Sequence, residues 1–149
     1  MKKIKMLTAF ICLVFTVGCT TGKQNVSWVN DGSVTLCPGK PNCVSSMQKD
    51  SKFFIEPFRY QVEKVAALAA LKEILITQKK TVFVKETADY LHVTFKTKCL
   101  GFTDDVEFYF PADKKLIHIR SASRVGYSDL GVNRRRMERL RSLFDKKLN

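Results

Sequence analysis

YLHVTFK at residues 90–96 and DVEFYF at residues 105–110 are the stretches that decide the fold of this 149-residue chain. In both, apolar and polar side chains alternate, which is typical of β-strands with one buried face. Two similar runs lie at Thr81–Glu86 and Leu116–Ser123. Residues 87–89 and 111–115 are short, turn-forming joins between runs that are consecutive in the chain. We therefore predict that the four runs form a four-stranded antiparallel meander.

Helical patterns flank these four runs. Residues 62–80 predict an amphipathic helix with these side chains near its apolar face: Val62, Val65, Leu68, Ala69, Leu75 and Ile76. Val132–Leu148 repeats an apolar stripe, and Ser128 or Asp129 is placed to cap that second helix. The predicted stripe comprises Met137, Leu140, Phe144 and Leu148. The predicted fold is therefore a two-layer α+β domain in the order helix, four strands, helix, with both helices on one face of the sheet.

The opposite face of this sheet carries polar side chains. They are His92, Lys96, Asp105, Glu107, Tyr109, His118 and Arg120. We expect that face to be either solvated or a binding surface.

The N-terminus has the organisation of a lipoprotein signal. Three lysines precede an apolar run at residues 6–17, which is too short for a bilayer span of about 20 residues. The run ends in Thr16-Val17-Gly18-Cys19, which resembles a lipobox. We predict a signal peptide over residues 1–18, lipidation of Cys19, a polar tether over residues 19–33 and one domain over residues 34–149. Cleavage of an ordinary signal peptide nearby is the alternative.

The predicted location and the net charge limit the classes of molecule that the protein could bind. Thr20, rather than Asp, follows Cys19, and in lipoproteins of Gram-negative bacteria this resemblance implies export to the outer membrane. We therefore expect an envelope protein that is anchored by lipid at the periplasmic face of the outer membrane. The formal charge of +12 falls to +9 when the three lysines of the signal are removed. This charge favours an anionic lipid, glycan or envelope protein as partner, although solubility alone also explains it. An exported protein does not meet nucleic acid.

Three cysteines remain in the predicted mature chain. Cys37 and Cys43 bracket a turn-rich loop that could bring them within disulfide distance, so we favour this pair over one with Cys99. A metal site built from the three thiolates with His92 or His118 is the rival interpretation. Its spacing contains no Cys-x-x-Cys pattern, and we expect neither metal nor cofactor.

Three segments carry a resemblance to a known family. Residues 37–46 read CPGKPNCVSS, residues 104–108 read DDVEF and residues 120–134 read RSASRVGYSDLGVNR. In this order they resemble the signature segments of the domain-of-unknown-function family numbered 1499, and the resemblance runs from residue 36 to about residue 144. The family includes bacterial lipoproteins and exported proteins. The resemblance implies no activity, substrate or catalytic residue.

The second and third of these segments supply the candidate binding residues. They are Asp104, Asp105, Arg120, Ser121, Ser123, Arg124, Ser128, Asp129, Asn133 and Arg134. Neighbours on a strand point to opposite faces, so Asp104 and Asp105 do not form a paired-carboxylate device, and we expect one of them to pair with Arg120 or Arg124. The loop before the second helix could present N–H groups and arginines to an anion. A capped helix locked to the sheet would give the same pattern.

Two functions of different classes remain open. The first is a non-enzymatic module that binds an anionic envelope partner, or acts as a scaffold, through Arg120, Arg124 and Arg134. The second is a hydrolase of an envelope ester or phosphate that uses polar side chains of the strands. Its candidates are Asp104, Asp105, Ser121 and His118. No Gly-x-Ser-x-Gly elbow surrounds the serines, so we predict binding and assign no catalytic residue.

Overall fold

The computed structural model describes residues 29–30, 33–49, 52–97 and 101–148. The predicted signal peptide, Cys19 and Cys99 lie outside these residues. Four short strands come first: β1 Val29–Asn30, β2 Ser33–Val34, β3 Cys43–Ser45 and β4 Phe58–Arg59. Then follow α1 Lys64–Thr77, the strands β5 Thr81–Glu86, β6 Tyr90–Lys96, β7 Thr103–Tyr109 and β8 Leu116–Ser123, and finally α2 Val132–Leu148.

The sheet contains the predicted meander and extends beyond it. Strands β5, β6, β7 and β8 pair antiparallel in chain order. The prediction of four strands is wrong, because β3 and β4 also pair antiparallel with β8 and make the sheet six-stranded. These added strands have three and two residues, too few to show a period of two. The predicted order of helix, four strands, helix is incomplete for the same reason.

One face of the sheet carries the main apolar core. Val93 pairs with Val106 and Leu91 with Phe108 across β6 and β7, and side chains of both helices join the same cluster. The strand residues expected to face the core are all buried: Val93, Phe95, Phe108, Ile117 and Ile119. The α2 stripe at Met137, Leu140 and Phe144 is buried as predicted.

The helices differ from their prediction in detail. On α1, Val65 and Ile76 are exposed, whereas Leu71 and Ile74 are buried. This helix is apolar on almost every side, so periodicity could not select its buried face. The arrangement differs as well: α2 lies against β8 and the unpredicted strand β3, and α1 lies beside α2. Neither helix is long and apolar enough to cross a membrane.

The outer face of the sheet, opposite the main core, is largely covered. His92, Asp105, Glu107 and Arg120 are each less than a tenth exposed, so the expectation of a solvated face is wrong for them. Strand β2 lies against β7 and β8, and the hydroxyl of Ser45 donates to the Thr35 carbonyl at 3.3 Å. The segment after β2 therefore runs over this face. Alternation along a strand reports its two sides but cannot reveal a segment that crosses one of them.

Candidate functional site

The candidate residues of β7 and β8, together with Arg124, divide between the two faces of the sheet. Asp104 pairs in register with Ser123, and the side chains of both, with Ser121, lie on the face that α2 covers. Asp105 instead joins Arg124 on the outer face, where Arg120 approaches Glu107. Asp104 and Asp105 thus point to opposite faces. One of the two was expected to pair with Arg120 or Arg124, and Asp105 pairs with Arg124.

Asn133 organises the polar side chains beneath the start of α2. Its Oδ1 accepts from Ser121 Oγ at 2.5 Å and from Arg136 Nη1 at 2.7 Å. Its Nδ2 lies 3.0 Å from both Ser123 Oγ and the Asn42 carbonyl oxygen. Because the network is buried and its members bind one another, it locks α2 to β3 and β8.

Arg136 completes that network, and sequence reasoning did not single it out. Its Nη2 donates to Asp104 Oδ2, and its guanidinium carbon lies 4.9 Å from the centroid of the Phe95 ring. Within a run of three arginines, nothing in the sequence distinguishes the buried one. Asp104 and Ser121 therefore hold α2 against the sheet through Arg136 and Asn133.

Asp129 caps α2, as one of the two predicted alternatives. Its Oδ1 accepts from the Gly131 N–H at 2.9 Å and its Oδ2 from the Asn133 N–H at 2.7 Å. Ser128 Oγ accepts only from the Leu130 N–H in the same turn, at 3.3 Å. The N–H groups of Gly131 and Asn133 are thus used within the protein, and an anion near this helix start would depend on side chains.

The outer face holds a second network, here called the outer ionic cluster. It comprises Tyr90, His92, Asp105, Glu107, Arg120 and Arg124. Arg124 grips Asp105 with two hydrogen bonds, Nε to Oδ2 at 2.8 Å and Nη2 to Oδ1 at 2.9 Å. His92 Nε2 lies 2.8 Å from Asp105 Oδ1, and the Tyr90 hydroxyl donates to Glu107 Oε1 at 3.0 Å.

The two carboxyl groups of this cluster are shifted in opposite directions. Burial raises the pKa of Glu107 to about 7, against the opposing effects of Arg120 and Tyr90. Burial also acts to raise the pKa of Asp105, but the hydrogen bonds of Arg124 and His92 outweigh it and lower that pKa to about 2. Near neutral pH, Asp105 is therefore ionised, whereas the protonated and ionised forms of Glu107 are both populated.

An open groove of about 390 Å³ lies at the β3 edge of the sheet, here called the edge groove. It is lined by Gly39, Pro41, Cys43, Val44, Lys52, Phe53, Tyr127, Asp129, Gly131 and Arg134. Cys37 and Cys43 form the predicted disulfide, with Cα atoms 5.7 Å apart, and hold the loop on one side of the groove. The Asn42 amide donates to the Gly126 carbonyl at 2.8 Å and joins that loop to the β8–α2 loop.

Arg134 lines the edge groove and also shapes it. Its Nη2 donates to the carbonyl oxygens of Lys52 at 3.1 Å and Phe54 at 2.8 Å, which fixes the segment opposite α2. Arg124 pairs with Asp105 and does not line the groove, so the structure does not bring Arg124 and Arg134 together. Lys52 and Phe53 come to line the same groove as Arg134 only through the fold, and no local pattern marks them.

The residues of the edge groove and of the outer ionic cluster all lie within the stretch that one family model matches. The DUF1499 family, described as a protein of unknown function, matches residues 33–144. The chain belongs to the DUF1499 family. No curated protein matches it.

The geometry of this DUF1499 domain bears on the hydrolase candidates. Ser121 is buried against Asn133 and Arg136, and Asp104 binds Arg136. Ser46 Oγ lies 3.1 Å from His118 Nδ1, and burial lowers the pKa of His118. His118 and Ser121 are three residues apart on β8, so their side chains point to opposite faces of the sheet and do not meet. Among the described residues, no group of three or more histidine, cysteine or carboxylate side chains could hold a metal ion.

Proposed function

We propose that this DUF1499 protein is a lipid-anchored protein of the cell envelope, at the periplasmic face of the outer membrane, whose domain binds an anionic envelope molecule in the edge groove. One observation carries the proposal. Residues 37–46 and residues 120–134, which are far apart in the chain, contribute to the lining of one groove. A shared structural lock would not require an open space between them.

The lining of the groove indicates the chemistry of its ligand. Lys52 and Arg134 supply positive charge, and the Asp129 carboxylate is engaged by the N–H groups of Gly131 and Asn133. Pro41, Phe53 and Tyr127 supply apolar and ring surface. A volume of about 390 Å³ lies within the range of small-molecule sites. An acidic lipid headgroup or an acidic sugar unit has the matching combination of charge and apolar surface.

Export and anchoring rest on separate support. The Cys37–Cys43 disulfide is consistent with an oxidising compartment, and the predicted lipidation site Cys19 precedes a polar tether. Metabolic labelling with a clickable fatty acid tests the anchor. Wild type and Cys99→Ser should carry the label, and Cys19→Ser should not. Label retained by Cys19→Ser would show that this cysteine is not the acylation site.

Groove binding is tested with two probes, short-chain phosphatidylglycerol and oligogalacturonate, by calorimetry on the purified protein. Tyr127→Ala should weaken binding of the preferred probe about tenfold, with an unchanged melting temperature, because this side chain is exposed at the groove. Lys114→Gln is the control for loss of positive charge, because Lys114 lies in the β7–β8 turn and is not among the residues that line the groove. Binding of neither probe, or an equal loss in both variants, would count against the groove.

A hydrolase is the second candidate, and the outer ionic cluster is its support. Glu107, with a pKa of about 7, lies beside Tyr90 and near the His92–Asp105 pair, so the cluster contains groups suited to proton transfer. A panel of esters and phosphate esters decides between the two classes. Turnover lost in Asp105→Asn and Glu107→Gln would favour the hydrolase, and an inactive wild type would favour binding.

A further inference from the structure

The end of the domain that carries the edge groove also exposes large apolar side chains. On the β8–α2 loop, Val125 is 51% exposed, Tyr127 73% and Leu130 84%. Phe102, immediately before β7, is 43% exposed. The Arg124 N–H donates to the Thr103 carbonyl at 3.0 Å, so the two connections are neighbours. These four side chains are called the apolar tip.

Leu130 is held in an unfavourable backbone conformation. Its φ of 53° lies in the left-handed region, which glycine and asparagine adopt far more readily than leucine. The described part of the domain does not compensate by burying this side chain, because most of it is exposed. A strained and exposed leucine beside other exposed apolar residues is typical of a surface that binds a protein or a membrane.

Two basic side chains flank the apolar tip. Arg124 begins the loop and pairs with Asp105, but its side chain is still half exposed. The exposed Arg135, in the first turn of α2, donates from Nη1 to the Leu130 carbonyl at 2.8 Å. The carboxylate in this loop, Asp129, is engaged in the helix cap. An apolar centre with a cationic rim complements an anionic bilayer, which accepts apolar side chains at the headgroup boundary and basic side chains against its phosphates.

We propose that the apolar tip docks onto the surface of an anionic lipid bilayer. Val125 and Leu130 enter the headgroup boundary, and Arg124 and Arg135 lie against lipid phosphates. Residues 19–28, which separate the proposed anchor from β1, can span at most about 35 Å, and this length allows the domain to turn this end toward the membrane that holds the anchor. Docking rests on the proposed envelope location and brings lipid headgroups to the groove that Tyr127 lines.

Fluorescence on vesicles tests the proposal with the mature protein purified from envelopes. Leu130→Trp places a reporter in the tip, and Leu143→Trp places a matched reporter on α2, where Leu143 is exposed outside the tip. The unsubstituted protein corrects for Trp28. On vesicles containing phosphatidylglycerol and acyl-brominated lipid, the Leu130→Trp emission should shift to the blue and be quenched. The Leu143→Trp emission should show neither change.

The outcomes separate docking from anchoring. Unchanged Leu130→Trp emission from protein that remains on the vesicles would overturn docking and leave the lipid anchor intact. Equal quenching of both reporters would also overturn it, because the tip would then not be the contact surface. Blue-shifted Leu130→Trp emission from protein that washes off at high salt would support docking and count against the anchor. Loss of the shift on phosphatidylcholine alone would support the role of anionic lipid.

Discussion

Glu107 is a fully buried carboxyl group on the outer face, hydrogen-bonded to Tyr90 and 3.5 Å from Arg120. Its pKa of about 7 lies above the ordinary value of 4.5. The folded state therefore holds a proton that the unfolded state releases between these values. This contribution to stability is fully present below pH 4.5 and is lost as the pH rises through about 7.

The first prediction concerns that pH dependence. Glu107→Gln keeps an acceptor for Tyr90 and removes the titration, so its stability relative to wild type should improve by about 3 kcal/mol between pH 4.5 and about pH 8. Urea unfolding at both pH values measures this change. Glu56→Gln, the same substitution at an exposed glutamate, is the matched control. The lowered pKa of Asp105 acts in another window, with stability lost as the pH falls from 3.8 through about 2.

Single residues also mark the limit of sequence reasoning about the site. The cap at Asp129 follows from its position before an apolar helical stripe, because a cap is local. Lys52 and Phe53 could not be assigned to the groove, since they reach Arg134 through contacts between distant parts of the chain. Burial of Arg136, next to the partly buried Arg134 and the exposed Arg135, likewise depends on where α2 meets the sheet.

Strands and helices were predictable where their patterns were long and one-sided. Strands β6 and β7 were found from alternation, and α2 from its stripe. Strand β3 was missed because three residues carry no period, and its pairing with β8 is a long-range choice. The buried face of α1 was misassigned because alanine, leucine and isoleucine residues occur on nearly all sides of that helix.

The second prediction belongs to α2. Asp129→Ala removes the side-chain acceptor of two backbone N–H groups and should lower the free energy of unfolding by about 1 kcal/mol. Ser128→Ala, one residue earlier in the same exposed loop, should change it by less than about 0.5 kcal/mol. Chemical denaturation of both variants measures the difference. Equal losses would mean that Asp129 does not cap the helix in solution.

At the scale of the whole molecule, one continuous core joins the sheet to both helices. Phe58 on β4 lies between Phe108 on β7 and Phe144 on α2, with ring centroids 6.1 Å and 5.6 Å away. Arg141 covers the Phe58 ring at 4.7 Å and donates to the Pro57 carbonyl. Strand β4 is thereby part of the same folded unit as the meander.

The third prediction tests that core. Phe108→Ala removes a ring that is fully buried and should cost about 3 to 5 kcal/mol of unfolding free energy. Phe102→Ala removes the same ring from the half-exposed tip and should cost less than about 1 kcal/mol. Thermal or urea unfolding compares the two. A small loss for Phe108→Ala would place its ring outside the core.

Mass spectrometry of the molecules that copurify with the protein from cell envelopes tests the central claim, ligand binding in the edge groove, most directly. Wild type and Lys114→Gln should retain the same anionic lipid or glycan, and Tyr127→Ala should lose it while remaining folded. Equal recovery of that molecule with all three proteins, or no anionic molecule enriched with wild type, would contradict the claim.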